Sequence, residues 1–436
     1  MSDPAWSLVP LDDVADVRVS NVDKKSVAGE TPVRLCNYMD VYSTPYLVGL
    51  ENYMRATATT SELARFGLQS GDVLITKDSE TPDDIAIPAI VDRTEPDVVC
   101  GYHLAIIRPG PKLDPTWLGK QFSSDAARRY FGARATGSTR YGLSNGAIGS
   151  FAFPVPPLPH QKAAAKVLRT LDEAIQKTEQ VIAKLKQMKQ GLLHDLLTRG
   201  VDENGGLRDP RRHPDQFEES PIGLMPIAWS VANLRGCLDG SAQNGIYKPP
   251  SDIGSGTLLL GQTAITETRS IDPKAARRAR VNRNEVRRFG LLAGDILVSR
   301  VFATLAGVGQ PALVPHLGEE AVYESNMMRL RVDPAKVQAQ LLVELLRISG
   351  VRRQVASVAN LSNQASINQT GLHGLLFALP QLSEQRRMLA ILDSATGREE
   401  VEARQSKKLR QLRQALTEDL LTGRVRVTKL LKGEAA

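Results

Sequence analysis

Residues 158–201 return as residues 382–425. At an offset of 224 positions the two stretches pair without a gap, Gln161 with Gln385, Leu168 with Leu392, Leu185 with Leu409, Gln187 with Gln411 and Gln190 with Gln414. Both close on one word, Asp195-Leu196-Leu197-Thr198 against Asp419-Leu420-Leu421-Thr422, and 12 of the 41 pairs from Gln161 to Val201 are identical. A long internal repeat constrains architecture more than any local motif, because both copies must fold alike and find the same kind of neighbour.

The first copy reads as one long helix. Leu171, Ile175, Ile182, Leu185, Leu192 and Leu196 fall at alternating steps of three and four, with Thr178 and Lys189 in two seam slots and Lys177, Glu179, Lys184 and Lys186 beside them. Pro159 suits a helix start and Gly200 a stop. The second copy is apolar near Ile391, Leu392 and Ala395 and again from Leu409 through Leu412, Leu416, Leu420 and Leu421, while Glu399, Glu402 and Ser406 hold the slots between. No Gly or Pro interrupts 160–190, which favours a paired coiled coil over two amphipathic helices laid separately on domain cores.

The duplication reaches beyond these helices. At an offset of 223, Trp6-Ser7 falls on Trp229-Ser230, Phe66-Gly67-Leu68 on Phe289-Gly290-Leu291, Gly71-Asp72-Val73-Leu74 on Gly294-Asp295-Ile296-Leu297, and Arg108 on Arg331. The chain therefore divides into a globular segment (1–157), a helix (158–200), a linker rich in Gly, Pro and charge (201–227), a second globular segment (228–381), a second helix (382–425) and a short basic tail (426–436). Strands are expected at Val73–Ile75, Ile85–Val91, Leu104–Ile107, Thr257–Leu260 and Ile296–Val298, and helices at 115–132 and 337–348. The fold class is α/β: two α/β domains joined and separated by two long antiparallel helices.

Chemistry is sparse. There is no Gly-x4-Gly-Lys-Ser/Thr loop, no Asn/Asp-Pro-Pro-Tyr/Phe phrase and no cofactor-type glycine loop. The six histidines lie far apart, and Cys36, Cys100 and Cys237 form neither a zinc knuckle nor a disulfide framework, so a reducing cytoplasm is the expected setting. No apolar run reaches the ~20 residues of a membrane span. Such a chain is expected to bind or scaffold and not to catalyse.

Recognition chemistry is what remains. The Gly-rich loop Gly137–Gly149 offers Ser138, Thr139, Arg140, Tyr141 and Asn145, and its counterpart offers Asn360, Asn363, Gln364 and Asn368. Amides pair bidentately with adenine and arginine with guanine. Lys77 and Ser79 follow the matched strand in one half, and Arg300 follows it in the other. Residues 274–288 carry seven basic side chains, Arg277, Arg280 and Arg283 among them, against Glu285 alone, a pattern suited to phosphate. Charge differs between the halves: residues 5–157 hold 15 Lys/Arg and 18 Asp/Glu, net −3, and residues 228–381 hold 17 and 11, net +6.

Two variable α/β segments alternating with two repeated helices, each entered through a Pro-Pro-Leu-x-x-Gln-like phrase (156–161, 380–385), resemble the specificity subunits of type I restriction–modification systems. The phrase Ser-Pro-Ile-Gly-Leu-Met-Pro-Ile-Ala-Trp (220–229) and the Gly-Asp-Val/Ile-Leu strands add to the likeness, which covers nearly the full length. The resemblance implies two target-recognition domains, each reading half of a split, asymmetric DNA site, and a helix pair that docks two modification subunits. On that view Leu185, Leu192, Leu196, Leu409, Leu416 and Leu420 are the partner-binding residues. The resemblance also places S-adenosylmethionine in the modification subunits and ATP with magnesium in a separate restriction and translocase subunit, none of them bound by this chain, and it implies no metal site here. The pattern departs at His160, where a Glu is commoner and where Glu384 stands in the second half. A coiled-coil adaptor without DNA specificity, or a nuclease with an unfamiliar active site, are the competing readings.

Overall fold

The computed structural model describes residues 6–49, 52–266, 270–361 and 364–427. They belong to two compact units, one of residues 1–181 with 402–436 and one of residues 182–401.

In the first unit, Val73–Thr76 is the middle strand of a five-stranded sheet ordered Ala15–Val19, Leu104–Pro109, Val73–Thr76, Pro88–Val91, Tyr46–Leu47. The first four pair antiparallel and the last joins in parallel. Its central strands are unbroken apolar runs because both faces are covered. Val73, Ile75, Ala105 and Ile107 enter one core with Trp117, Phe131 and Phe153. Leu74, Leu104 and Ile106 enter another with Leu35, Val98 and Val99, as side chains alternating along a strand must.

The second unit repeats the plan. Its sheet is ordered Gln243–Asn244, Met327–Leu330, Ile296–Ser299, Pro311–Leu313, with Ile296 and Val298 in one core and Leu297 in another. The matched Gly-Asp phrases have one structural job. Gly71 and Gly294 take φ of +92° and +90°, a turn that glycine makes without strain. The buried Asp72 then accepts two bonds from Arg108 at 2.7 and 2.8 Å, and Asp295 two from Arg331 at 2.8 and 2.7 Å.

The long helices are Leu158–Arg199 and Leu382–Thr422. At 42 residues the first is about 63 Å long. Each is pinned near its start by a fully buried glutamine. Gln161 accepts from the Asp114 amide at 2.8 Å and donates to the Lys112 and Pro156 carbonyls at 3.0 and 2.7 Å. Gln385 does the same with Gln338, Lys336 and Pro380, each at 2.9 Å. These amides leave little hydrogen-bonding capacity unused, which is what burial demands.

The helices run antiparallel. In the first unit Asp172 meets Arg413 at 3.4 Å and Glu179 meets Arg410; in the second, Lys189 meets Glu399 at 2.9 Å. Lys189 and Glu399, both in polar seam slots, thus answer each other across the pair. Thr178 and Ser406, also in seam slots, are buried.

The structure differs from the expectations in places. The helix over 115–132 is two, Pro115–Phe122 and Asp125–Gly132, because the Ser124 hydroxyl accepts from the Ala127 amide and starts a new helix. The helix over 337–348 is Ala339–Leu345, followed by a further helix, Ser349–Val358. The linker is folded: Phe217–Ser220 and Gly223–Pro226 form a hairpin. Within it Arg208 makes a buried pair with Glu384 at 2.5 and 3.1 Å, and Glu384 also accepts from the Val201 amide at 2.9 Å. Most of the basic tail, 428–436, lies outside the described residues.

Candidate nucleic-acid interface

The central strand of the first unit delivers its last residues to the sheet edge, where they meet the Gly-rich loop. Asp78–Ser79 pairs antiparallel with Tyr141–Gly142, and Thr136 and Gly142 exchange backbone bonds of 3.0 and 2.9 Å. These pairings fold 136–142 into a hairpin whose turn holds Ser138, Thr139 and Arg140, all exposed, with Tyr141 half-buried. Gly137 takes φ of +145°, and a Cβ there would lie 2.0 Å from the Arg140 carbonyl oxygen. The turn therefore needs glycine. Two stretches that the sequence offered as separate candidates, 77–79 and 137–145, are one site.

Beneath the hairpin is a cleft of about 500 Å³ lined by Lys24, Tyr38, Tyr42, Asp78, His103 and Arg140 among others. His103 Nδ1 lies 2.6 Å from Asp78. The Tyr38 and Tyr42 rings stack at 5.5 Å, and the Tyr42 hydroxyl donates to Asp84 at 2.9 Å, which holds its pKa above the usual phenol value. Lys77 is half-buried. Ser79 is a correction: it is buried and its hydroxyl accepts from the Thr81 amide, so it shapes the turn and faces no solvent. Asn145 is exposed on the first turn of a short helix, Asn145–Gly149, that Ser144 caps.

The second unit builds the same junction. Val301–Phe302 pairs with Ala365–Ser366, which pairs in turn with Asn360–Leu361. Arg300, half-buried, donates to the Ser325 carbonyl at 3.0 Å. Asn360 and Gln364 are exposed, and Asn363 lies outside the described residues. The Asn368 side chain accepts from the Gly371 amide at 2.7 Å and caps the helix Gln369–His373. Its carbonyl oxygen is thus committed to the fold.

The basic run is more balanced than its sequence suggests. Arg277 pairs with Glu324, Arg278 with Glu319 at 2.8 Å and Arg280 with Asp252 at 3.1 Å. These acids come from strands and turns distant in sequence, so the local count missed them. Arg283, Arg287 and Arg288 lie on one short helix, Arg283–Phe289, and are exposed, with no carboxylate partner among the described residues.

The leucines assigned to partners divide. Leu185, Leu192, Leu409 and Leu416 are partly exposed. Leu196 and Leu420 are corrections, because they are buried in the cores of the second and first units respectively. Neither offers a surface.

Sequence reasoning missed Lys24, Tyr38, Tyr42, His103 and, in the second unit, Tyr247 and Asn326. Tyr38 and Tyr42 lie on a short helix, Tyr38–Ser43, and the others on connections between strands, and the one available signal was their polar or aromatic character. Among the described residues no group of three or more His, Cys, Asp or Glu is placed to hold a metal ion, and no helix is long and apolar enough to cross a membrane.

Comparison with known proteins gives one consistent picture. Residues 5–187 match the family described as type I restriction modification DNA specificity domain. The MjaVIII type I restriction enzyme specificity subunit of Methanocaldococcus jannaschii is 25% identical over 284 residues, 64% of this chain and 63% of that protein. The StySPI specificity subunit of Salmonella potsdam is 23% identical over 290 residues, 66% of this chain and 60% of that one. The matches thus span less than two thirds of these relatives. A crystal structure of the S subunit of a type I restriction–modification system from M. genitalium shares the fold, with a TM-score of 0.53 at 12% identity, covering 97% of both chains. A chain from a structure of type I R-M complex assembly and conformational transition does so at 0.55 and 17%, covering 97% of this chain and 99% of that one.

Proposed function

We propose that the chain, whose residues 5–187 match the type I restriction modification DNA specificity domain, supplies DNA sequence specificity to a larger enzyme. Each unit reads one half of a split target through the hairpin at the edge of its sheet. The observation that carries this reading is the repetition of one rigid junction with different side chains on it. Ser138, Thr139 and Arg140 stand on one hairpin; Asn360 and Gln364 stand on the other. Equal scaffolds with unequal tips are what two different half-sites require, since phosphate contacts position a protein and contacts to base edges specify sequence.

The chemistry follows from donor geometry. Arg140 presents a planar fork that matches the O6 and N7 acceptors of guanine, and the carboxamides of Asn360 and Gln364 match adenine. The exposed Arg283, Arg287 and Arg288 supply charge to the phosphates, whatever the sequence. The helices dock two modification subunits, which hold S-adenosylmethionine, and the restriction subunit uses ATP and magnesium; this chain carries out neither reaction. It works in the cytoplasm, where its DNA is.

A gel shift tests this against a DNA-independent adaptor. The chain assembled with its modification subunits should shift duplex DNA, with affinity falling steeply between 50 and 200 mM salt, by roughly a thousandfold for six phosphate contacts. Absence of any shift at low salt favours the adaptor, and metal-dependent cutting by the chain alone favours a nuclease.

A further inference from the structure

The two units each carry a second cleft wall, and the aromatic group has changed sides between them. Val22 bridges Gly101 in parallel in the first unit, and Ile246 bridges Glu324 in the second. Lys77 donates its amide to the His103 carbonyl at 3.0 Å, and Arg300 donates to that of Asn326 at 2.8 Å. These contacts fix the equivalence of the two places independently of sequence. In the first unit Asp23-Lys24 follows the bridge and Tyr102-His103 stands opposite, with the Lys24 ammonium 5.9 Å from the Tyr102 ring centre. In the second, Tyr247-Lys248 follows the bridge and Ser325-Asn326 stands opposite, around a cleft of about 400 Å³.

Tyr247 is 75% exposed. Its cleft is lined by the apolar Ile246, Ile253 and Leu259 and by the cations Lys248 and Arg277. Both cations are already paired, Lys248 with Glu285 at 2.8 Å and Arg277 with Glu324. They hold the walls and leave the ring uncovered. Glu285 lies on the helix Arg283–Phe289, so the Lys248 pair ties the Tyr247 loop to the three arginines without acidic partners. An open aromatic face tied to exposed arginines without carboxylate partners fits a nucleic-acid duplex: the ring packs against the edge of a base in the groove and the helix holds the backbone.

We propose that Tyr247 is a specificity-determining residue of the second unit, packing its ring on a base of the half-site which that unit reads. The inference rests on the DNA-reading function above and names a group outside the hairpins. In the first unit the equivalent place holds Asp23, and Tyr102 stands opposite it, so the two units offer DNA different groups from equivalent places.

The test is selection from a randomised duplex library by the chain assembled with its modification subunits, comparing the unaltered protein with Tyr247→Ala, Tyr247→Phe and Arg283→Ala. Because the ring is exposed, the thermal midpoint should not move in either Tyr247 variant. The unaltered protein should enrich a split motif. Tyr247→Ala should flatten preference at one or two base positions of one half only, where discrimination of roughly tenfold or more is lost, and Tyr247→Phe should keep the motif. Arg283→Ala should weaken binding to every sequence alike and lower the salt slope. An unchanged motif with Tyr247→Ala overturns the proposal. So does loss of the modification subunits from that variant, which would make Tyr247 part of a protein interface. If the unaltered protein enriches no motif, the DNA-reading function itself fails, and this inference falls with it.

Discussion

Replacing Asp172 by leucine should loosen the long helix from the sheet and helices of the first unit at one identifiable place. The Asp172 carboxylate is buried and takes the Lys120 ammonium, the Tyr46 hydroxyl at 2.7 Å and Arg413 at 3.4 Å. Lys120 is itself only 10% exposed at its side chain; burial pushes its pKa below the usual lysine value, and Asp172 opposes that. Without the carboxylate, Lys120 keeps, among the described residues, the face of the Tyr46 ring, 5.4 Å away. Breaking a buried pair from one side costs about 3–5 kcal/mol, because the remaining charge has no compensation. Lys120→Met alone should cost less, about 1.5–3 kcal/mol, since Asp172 retains Tyr46 and Arg413. The double variant should recover most of the loss, as apolar groups of similar volume replace buried pairs at little cost. Two compact units make a single unfolding transition unsafe, so the assay is hydrogen exchange on peptides covering 115–122 and 166–181. Exchange should quicken in both with Asp172→Leu and return towards normal in the double variant. Unchanged exchange with Asp172→Leu, or a double variant as loose as the single, refutes the reasoning.

Other consequences are quicker to check. Gln161→Leu and Gln385→Leu each leave two carbonyls and an amide without their partner, so each should cost about 2 kcal/mol or more, read as faster hydrogen exchange at the start of its own helix, and the two losses should be alike because the bonds are alike. Leu196→Asp buries a carboxylate in a core and should unfold the second unit, whereas Leu185→Asp, on the partly exposed seam, should leave circular dichroism intact and weaken capture of modification subunits. His373 accepts the Ala242 amide at 3.0 Å through Nε2, which requires the neutral ring. Burial, then Arg235, holds its pKa below 6.5. Stability from this contact is therefore complete above about pH 6.5 and is lost as pH falls through the depressed value; His373→Gln should flatten that part of the thermal-midpoint profile between pH 7.5 and 5.

The order of the fold was legible because its signals are periodic and doubled. The heptad steps of 158–201 and the unbroken Val73-Leu74-Ile75 run each have one cheap solution, and their recurrence at 382–425 and 296–298 excluded accident. The antiparallel register was half-written in the polar slots: Lys189 in a leucine seam makes sense once Glu399 stands opposite it. What escaped was everything set by distant pairing. Residues 349–358 gave no strong start signal, and their helix is held through Val351 and Val355 in a core. The arginines of 274–288 looked unbalanced because Glu319, Glu324 and Asp252 come from elsewhere. Leu196 and Leu420 sit on the seam's own period, yet the helix ends dip into domain cores. The candidate readers were found on the hairpins and missed on the opposite walls, since Lys24, Tyr102 and Tyr247 carry no motif.

The central claim is that two equal scaffolds with unequal tips read two different half-sites. Methylome sequencing of cells that make the modification subunit with and without this chain measures it directly. The account predicts methylation that depends on the chain and falls on a split target with two different halves. A single palindromic target, or methylation that is the same without the chain, would contradict it.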